Sequence, residues 1–155
     1  MSSTDNIQIE LAPAATDEVR AQIGELQAVL ATESPPALRH GLALDAIFQP
    51  HIRFFLARRQ GSVVGCGGVA LFPDYAEVKR MYVRPDQRGR GIGKRVVAEL
   101  ERLARESGLP LLRLETGIHN PDAIALYRGT GFVECAAFGD YKPDPLSEFM
   151  EKRVT

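Results

Sequence analysis

Seven basic residues and one acid crowd the stretch between positions 79 and 95: Lys79, Arg80, Arg84, Arg88, Arg90, Lys94 and Arg95 against Asp86. The chain holds 19 basic and 20 acidic residues, so everything else carries 12 against 19 and the positive charge is gathered in one place. At its centre stands Arg88-Gly89-Arg90-Gly91-Ile92-Gly93-Lys94, three alternating glycines between a strand-like run and a long amphipathic helix. Lys94 and Arg95 fall in the first helical turn, where the macrodipole disfavours cations. Free N–H groups at a helix N-terminus, glycine for close approach and surplus cations together suit an anion, above all a phosphate.

Spacing separates three kinds of phosphate loop. A P-loop needs a glycine five positions before Gly93 and a Ser or Thr after the lysine; this chain has Arg88 and Arg95 there. A dinucleotide loop needs G-x-G-x-x-G at the opening of the first βαβ unit, whereas these glycines run G-x-G-x-G deep in the chain. The third pattern, Arg/Gln-x-x-Gly-x-Gly/Ala after a strand, is present as Arg88-Gly89-Arg90-Gly91-Ile92-Gly93. Here the chain resembles N-acetyltransferases of the GNAT superfamily, which bind the pyrophosphate of acetyl-CoA on this loop. Val83-Arg84-Pro85 is similar to the end of that family's fourth strand. A second block, Asn120-Pro121-Asp122-Ala123 through Tyr127 to Gly131-Phe132, resembles the family's N-x-x-A-x-x-x-Y-x-x-x-G-F. The resemblance runs over residues 77–132, and Leu114-Glu115-Thr116-Gly117 and the ending 138–150 resemble small single-domain bacterial members of the YsnE type.

The resemblance implies acyl transfer from a thioester to an amine, with acetyl-CoA as cosubstrate and no metal. An alkylamine of pKa about 10 is almost wholly protonated at pH 7, a handicap of roughly 4 kcal/mol that a general base partly recovers. The family's catalytic glutamate corresponds to Glu77, eleven residues before Arg88; the alternative is a solvent-facing strand residue paired with Lys79 or a cross-strand cation. Its general acid, which protonates the departing thiolate, corresponds to Tyr127; the alternative is a core tyrosine beside Ile124-Ala125-Leu126. An unperturbed phenol titrates near 10, so it would be protonated at neutral pH. The main chain of Met81, Tyr82 and Val83 is assigned to the thioester oxygen, and that of Arg88, Gly89, Arg90, Gly91, Ile92, Gly93 and Lys94 to the pyrophosphate. Side chains of Arg84, Arg88, Arg90 and Lys94 could add phosphate contacts. Asn120 would bond the pantetheine arm as well as cap its helix, with Ala123 and Tyr127 beside it. His40, His51 and His119 are expected to be structural. The acceptor is expected to be a compact primary amine rather than a long peptide, because residues 32–50 are short and apolar. A catalytically silent acyl-CoA-binding domain is the rival from another class, and the joint presence of Glu77 and Tyr127 favours an enzyme.

Bulk composition agrees with a single domain over residues 1–155: 45% hydrophobic and 25% charged residues are ordinary for a globular chain. No apolar run reaches membrane-spanning length and the first residues lack a signal-peptide pattern, so a cytoplasmic protein is expected, with no membrane partner. A net charge of −1 argues against nucleic acid as a partner, and a homodimer stays open. Cys66 and Cys135 have neither metal-ligand spacing nor a disulfide framework and are expected to be buried thiols.

These residues need positioning. Ile7-Gln8-Ile9-Glu10-Leu11 alternates as a strand, and Val19, Ile23, Leu26, Val29 and Leu30 recur at helical spacing. A second helix is expected over 37–48, a hairpin over 53–72 turning at Gln60-Gly61, and a strand over 76–83 entering the loop. Ile92, Val96, Val97, Leu100, Leu103 and Ala104 form the stripe of the following helix, which stops at Ser107-Gly108. A short buried strand over 111–116, a helix over 121–130 opened by Asn120 and Pro121, a strand over 132–135 and a last one over 147–154 complete the order. The fold class is α/β: a mixed, mostly antiparallel sheet of seven strands with helices on both faces. The resemblance implies that the fourth and fifth strands splay, admitting acetyl-CoA from one side and the acceptor from the other.

Overall fold

The computed structural model describes residues 6–12, 16–21, 24, 28 and 49–155. The expected helix over 37–48, with His40, lies outside them. Among the described residues the strands are β1 (Ile7–Leu11), β2 (Ile52–Arg59), β3 (Ser62–Leu71), β4 (Ala76–Val83), β5 (Leu111–Gly117), β6 (Val133–Glu134) and β7 (Ser147–Arg153). They form one seven-stranded sheet in the order β1-β2-β3-β4-β5-β7-β6. Two helices follow the loops, α1 (Ile92–Glu106) and α2 (Pro121–Gly129), and residues 17–21 are also helical. Thr16 opens that first helix, its Oγ1 accepting from the Val19 N–H at 3.2 Å. Every strand pair is antiparallel except β4–β5.

The β2–β3 hairpin turns at Gln60 and Gly61, with φ of 53° and 82°. Two successive positive φ values give the turn twist that matches right-handed strands. On one face of the sheet lies α1. Its stripe of Ile92, Val96, Val97, Leu100 and Ala104 is buried against Phe55, Ala57, Val69, Val78, Leu112 and Leu114, whereas Leu103 is only partly covered. Gly67 lets the helix approach: a Cβ there would lie 2.5 Å from Met81 Sδ and 2.7 Å from Val96 Cγ1. Gly108, at φ 77°, ends α1 as expected, with its N–H on Arg105 O at 2.9 Å. Val19 of the first helix is buried outside the α1 cluster.

The feature that matters for chemistry is what β4 and β5 fail to do. They pair in parallel only at Ala76↔Leu112 and Glu77↔Arg113. From Val78 onward no strand among the described residues pairs with β4 on that side, so the sheet opens toward the C-terminal ends of both strands, as the expected splay requires. The remaining strand, β7, pairs with β5 along its whole length from Leu111↔Arg153 to Gly117↔Ser147 and closes the far wall.

Candidate active site

The glycine loop sits where β4 ends and α1 begins. A short 3-10 turn, Pro85–Gln87, follows the strand, and Arg88 Nε folds back to donate to Val83 O at 3.1 Å. Gly89 and Gly91 have φ of 84° and 78°, and nothing lies within 4 Å of where a Cβ would stand on either. Gly91 is the residue before the helix and no side chain caps it. The first helical hydrogen bond runs from Arg95 N–H to Gly91 O at 3.1 Å, which leaves the amides of Ile92, Gly93 and Lys94 without helical partners. This open cradle of main-chain donors fits a phosphate-bearing cofactor. The cations around it divide by role. Arg95 donates to Ile7 O at 3.1 Å, tying α1 to β1; Arg84 pairs with Asp86 at 3.2 Å; Lys94 and Arg90 are exposed beside the cradle. Gly93 differs from its neighbours, because a Cβ there would meet Leu126 Cδ2 at 2.9 Å. It is the contact between α1 and α2, so its side-chain position does not face a ligand even though its amide does sit in the first turn.

Strand β4 is irregular where it loses β5. Gly68 opposes Lys79 and Cys66 opposes Tyr82, so Arg80 and Met81 share one place in the register. Arg80 takes φ 59° at this bulge, a conformation that a non-glycine residue adopts only under the constraint of its surroundings. Met81, Tyr82 and Val83, expected to present main chain to a thioester, are the residues that leave the bulge along the unpaired edge of β4.

Glu77 is buried, at 3% exposure. Ala76 and Val78 point into the α1 cluster, so strand alternation aims Glu77 at the opposite face. There Tyr141 Oη donates to Glu77 Oε2 at 2.6 Å and Lys79 Nζ stands 3.1 Å from the same oxygen. Oε1 has no hydrogen-bond partner among the described residues. The Lys79 pairing that was the bland alternative is thus present, but inside the protein and not on its surface. Burial and the bond to Glu77 push the Tyr141 phenol well above its ordinary range, so it stays a donor. No sequence pattern marked Tyr141 as this partner, for it lies 64 positions away.

Tyr127 enters from the other side. It belongs to the cluster under α1, packs edge-on to Phe132 with centroids 5.6 Å apart, and is 5% exposed. Burial alone pushes its phenol far above the usual tyrosine range. Asn120 caps α2, its Oδ1 accepting from Ala123 N–H at 3.3 Å; the Ala123 amide is thereby used within the protein, and the Asn120 Nδ2 is the end left for a ligand. The acid and base candidates therefore lie on opposite faces of the sheet.

On the same face as Glu77, joined to it through Lys79 but not lined by it, lies a cavity of about 200 Å³ lined by Phe54, Phe72, His51, Lys79 and Arg80 among others. His51 packs edge-on against Phe72 at 5.7 Å, at the end of a run of rings that continues through Tyr75 and Phe138 to Tyr141 and Phe149. Histidine at position 51 was expected to be structural; it serves as a wall of this cavity. His119 is exposed at the end of β5. Cys66 is buried as expected and Cys135 is half-buried. No helix among the described residues is long and apolar enough to cross a membrane.

A cradle for a phosphate-bearing cofactor, a gap between two parallel strands and a buried carboxylate at that gap together describe an acyltransferase. The chain belongs to the acetyltransferase (GNAT) family, whose model matches residues 20–132. Enzymes of this family carry out N-acetylation with acetyl-CoA. Over 149 residues the chain is 46% identical to the IAA acetyltransferase of Azospirillum brasilense, covering 95% of this chain and 97% of that protein. It is 34% identical over 124 residues to the uncharacterized N-acetyltransferase YsnE of Bacillus subtilis, covering 78% and 82%. A crystal structure from Klebsiella pneumoniae assigned to the acyl-CoA N-acyltransferases superposes with a TM-score of 0.85 at 37% identity, covering 97% of this chain and 99% of that one.

Proposed function

We propose that this chain is a cytoplasmic enzyme that transfers the acetyl group of acetyl-CoA directly to the primary amine of a small molecule, with Glu77 as general base and Tyr127 as general acid. The observation that carries the assignment is the buried Glu77 at the parallel β4–β5 pairing, with Tyr127 in the cluster on the opposite face of the sheet. When bound, acetyl-CoA supplies an electrophilic carbonyl and a thiolate leaving group. The chain's own residues do the rest. Amides of Ile92, Gly93 and Lys94 and the open glycines 89 and 91 hold the pyrophosphate. Asn120 Nδ2 orients the pantetheine arm. Main chain from Met81 to Val83, on the unpaired edge of β4, holds the thioester oxygen as charge grows there.

Glu77 takes the ammonium proton through Oε1, directly or through a water, while Tyr141 and Lys79 keep Oε2 in place. Tyr127, kept neutral by burial, gives its proton to the sulfur. A small acceptor follows from the cavity beside Glu77, whose volume of about 200 Å³ lies below the roughly 300–1,000 Å³ typical of drug-sized ligand sites. An acceptor screen monitored by thiol release tests this. Turnover is expected with amino acids or other compact amines. Efficient turnover of a long peptide with no small amine accepted would contradict the acceptor class, and micromolar affinity for ATP or DNA with none for acetyl-CoA would contradict the cofactor.

A further inference from the structure

The cavity beside Glu77 is cationic in a way that the transfer chemistry does not require. Lys79 and Arg80 both line it, with no carboxylate among its described lining residues. Lys79 is spoken for, since its ammonium stands 3.1 Å from Glu77 Oε2 and 3.4 Å from Tyr141 Oη. Arg80 is different. Its Nε is buried and has no hydrogen-bond partner among the described residues. Arg80 lines the cavity and has no ion pair with a carboxylate among the described residues, so its guanidinium suits an anionic group held there. The residue is also held in an unusual backbone state, φ 59° at the β4 bulge, which turns its side chain to the same cavity as Lys79 although the two are adjacent in sequence.

Resting on the acetyl-transfer assignment above, we infer that the acceptor is an amine that also carries an acidic group, and that Arg80 binds that group. Glu77 and Arg80 are three positions apart on one strand, at most about 10 Å along the backbone. Glu77 does not line the cavity but adjoins it through Lys79 and through Ala70, its register partner on β3, so a small molecule with its carboxylate at Arg80 would place its amine toward Glu77, with a water carrying the proton between them. Phe54 and Phe72 supply the apolar wall for the remainder. An amino acid with an apolar side chain has this chemistry; a simple alkylamine lacks half of it.

The test compares phenylalanine with phenylalaninamide as acceptors in the full-length native protein, Arg80→Gln and Arg80→Lys, with calorimetric binding of N-acetylphenylalanine in the presence of CoA as a readout independent of turnover. The carboxamide has the less basic amine, so chemistry alone would favour it. The native enzyme is expected to prefer the acid by at least tenfold in kcat/KM. In Arg80→Gln this ratio collapses toward one through a rise in KM for the acid, and Arg80→Lys restores part of it. A native enzyme without preference for the acid, or an Arg80→Gln variant in which both rates fall while their ratio holds, would overturn the inference. So would N-acetylphenylalanine that binds no more weakly to Arg80→Gln than to the native protein. Arg80-dependent binding of N-acetylphenylalanine together with no thiol release from any amine would leave the acid subsite standing and remove the acetyl-transfer assignment instead.

Discussion

Glu77 has one oxygen engaged by Tyr141 and Lys79 and the other without a hydrogen-bond partner among the described residues, a division of labour within a single carboxylate. If Oε1 accepts the amine proton, Glu77→Gln lowers the single-turnover rate at neutral pH by ~10²–10⁴-fold while acetyl-CoA affinity, measured by calorimetry, stays within about twofold. Tyr127→Phe keeps the ring against Phe132 and removes the proton donor, so it too is slow, with binding intact. The sequence alone places loss of this acid near the ordinary phenol pKa of about 10. Burial moves it upward, so the native rate is expected to show no alkaline fall from Tyr127 up to pH 10. A fall that begins near pH 9 and vanishes in Tyr127→Phe would mean that the hydroxyl is wetter than its place in the cluster implies.

At the scale of elements, the glycine loop separates into two functions. Gly91 is open to solvent at φ 78°, so Gly91→Val both strains the turn and fills the cradle. Acetyl-CoA affinity is expected to fall by more than tenfold in a variant that remains folded by circular dichroism; unchanged affinity would remove the pyrophosphate site from this loop. Gly93→Val acts differently, since its side chain would strike Leu126. It is expected to lower the thermal midpoint as well as cofactor affinity, because the Leu126 side chain must shift to make room.

The loop, α1 and the β2–β3 hairpin were legible in sequence because their signals are local: alternating glycines, a six-residue apolar stripe, a Gln60-Gly61 turn. The bulge at Arg80 was not, as it arises from a register shift against β3 that no spacing within β4 announces. Nor were the Tyr141–Glu77 bond and the cavity wall at His51, which join segments far apart in the chain. The distinction between Gly93 and Gly91 needed the position of Leu126. The resemblance over 77–132 marked the catalytic candidates, but only the structure shows that they lie on opposite faces of the sheet.

At the scale of the molecule, the sheet order carries β5 and β7 past the opening in β4, so the proposed cofactor and acceptor sites would share one fold. We therefore expect a single cooperative thermal transition for the chain, raised by saturating acetyl-CoA; two transitions, with only one shifted, would contradict a single domain. Stability should also report on the buried phenols. Tyr127 and Tyr141 hold their protons in the folded state above the pH at which the unfolded chain loses them. The unfolded state therefore binds fewer protons once the pH passes about 10, and stability declines as pH rises beyond it. The decline should be shallower in Tyr127→Phe, measured by urea unfolding between pH 8 and 11. The most direct measurement of the central claim is the single-turnover rate of thiol release from acetyl-CoA with a small primary amine, for native protein and Glu77→Gln, from pH 6.5 to 10. The account predicts a deficit of ~10²–10⁴-fold at neutral pH that narrows as the pH approaches the amine's own pKa, because solvent then supplies the neutral nucleophile. Near-native rates in Glu77→Gln across the whole range would contradict it.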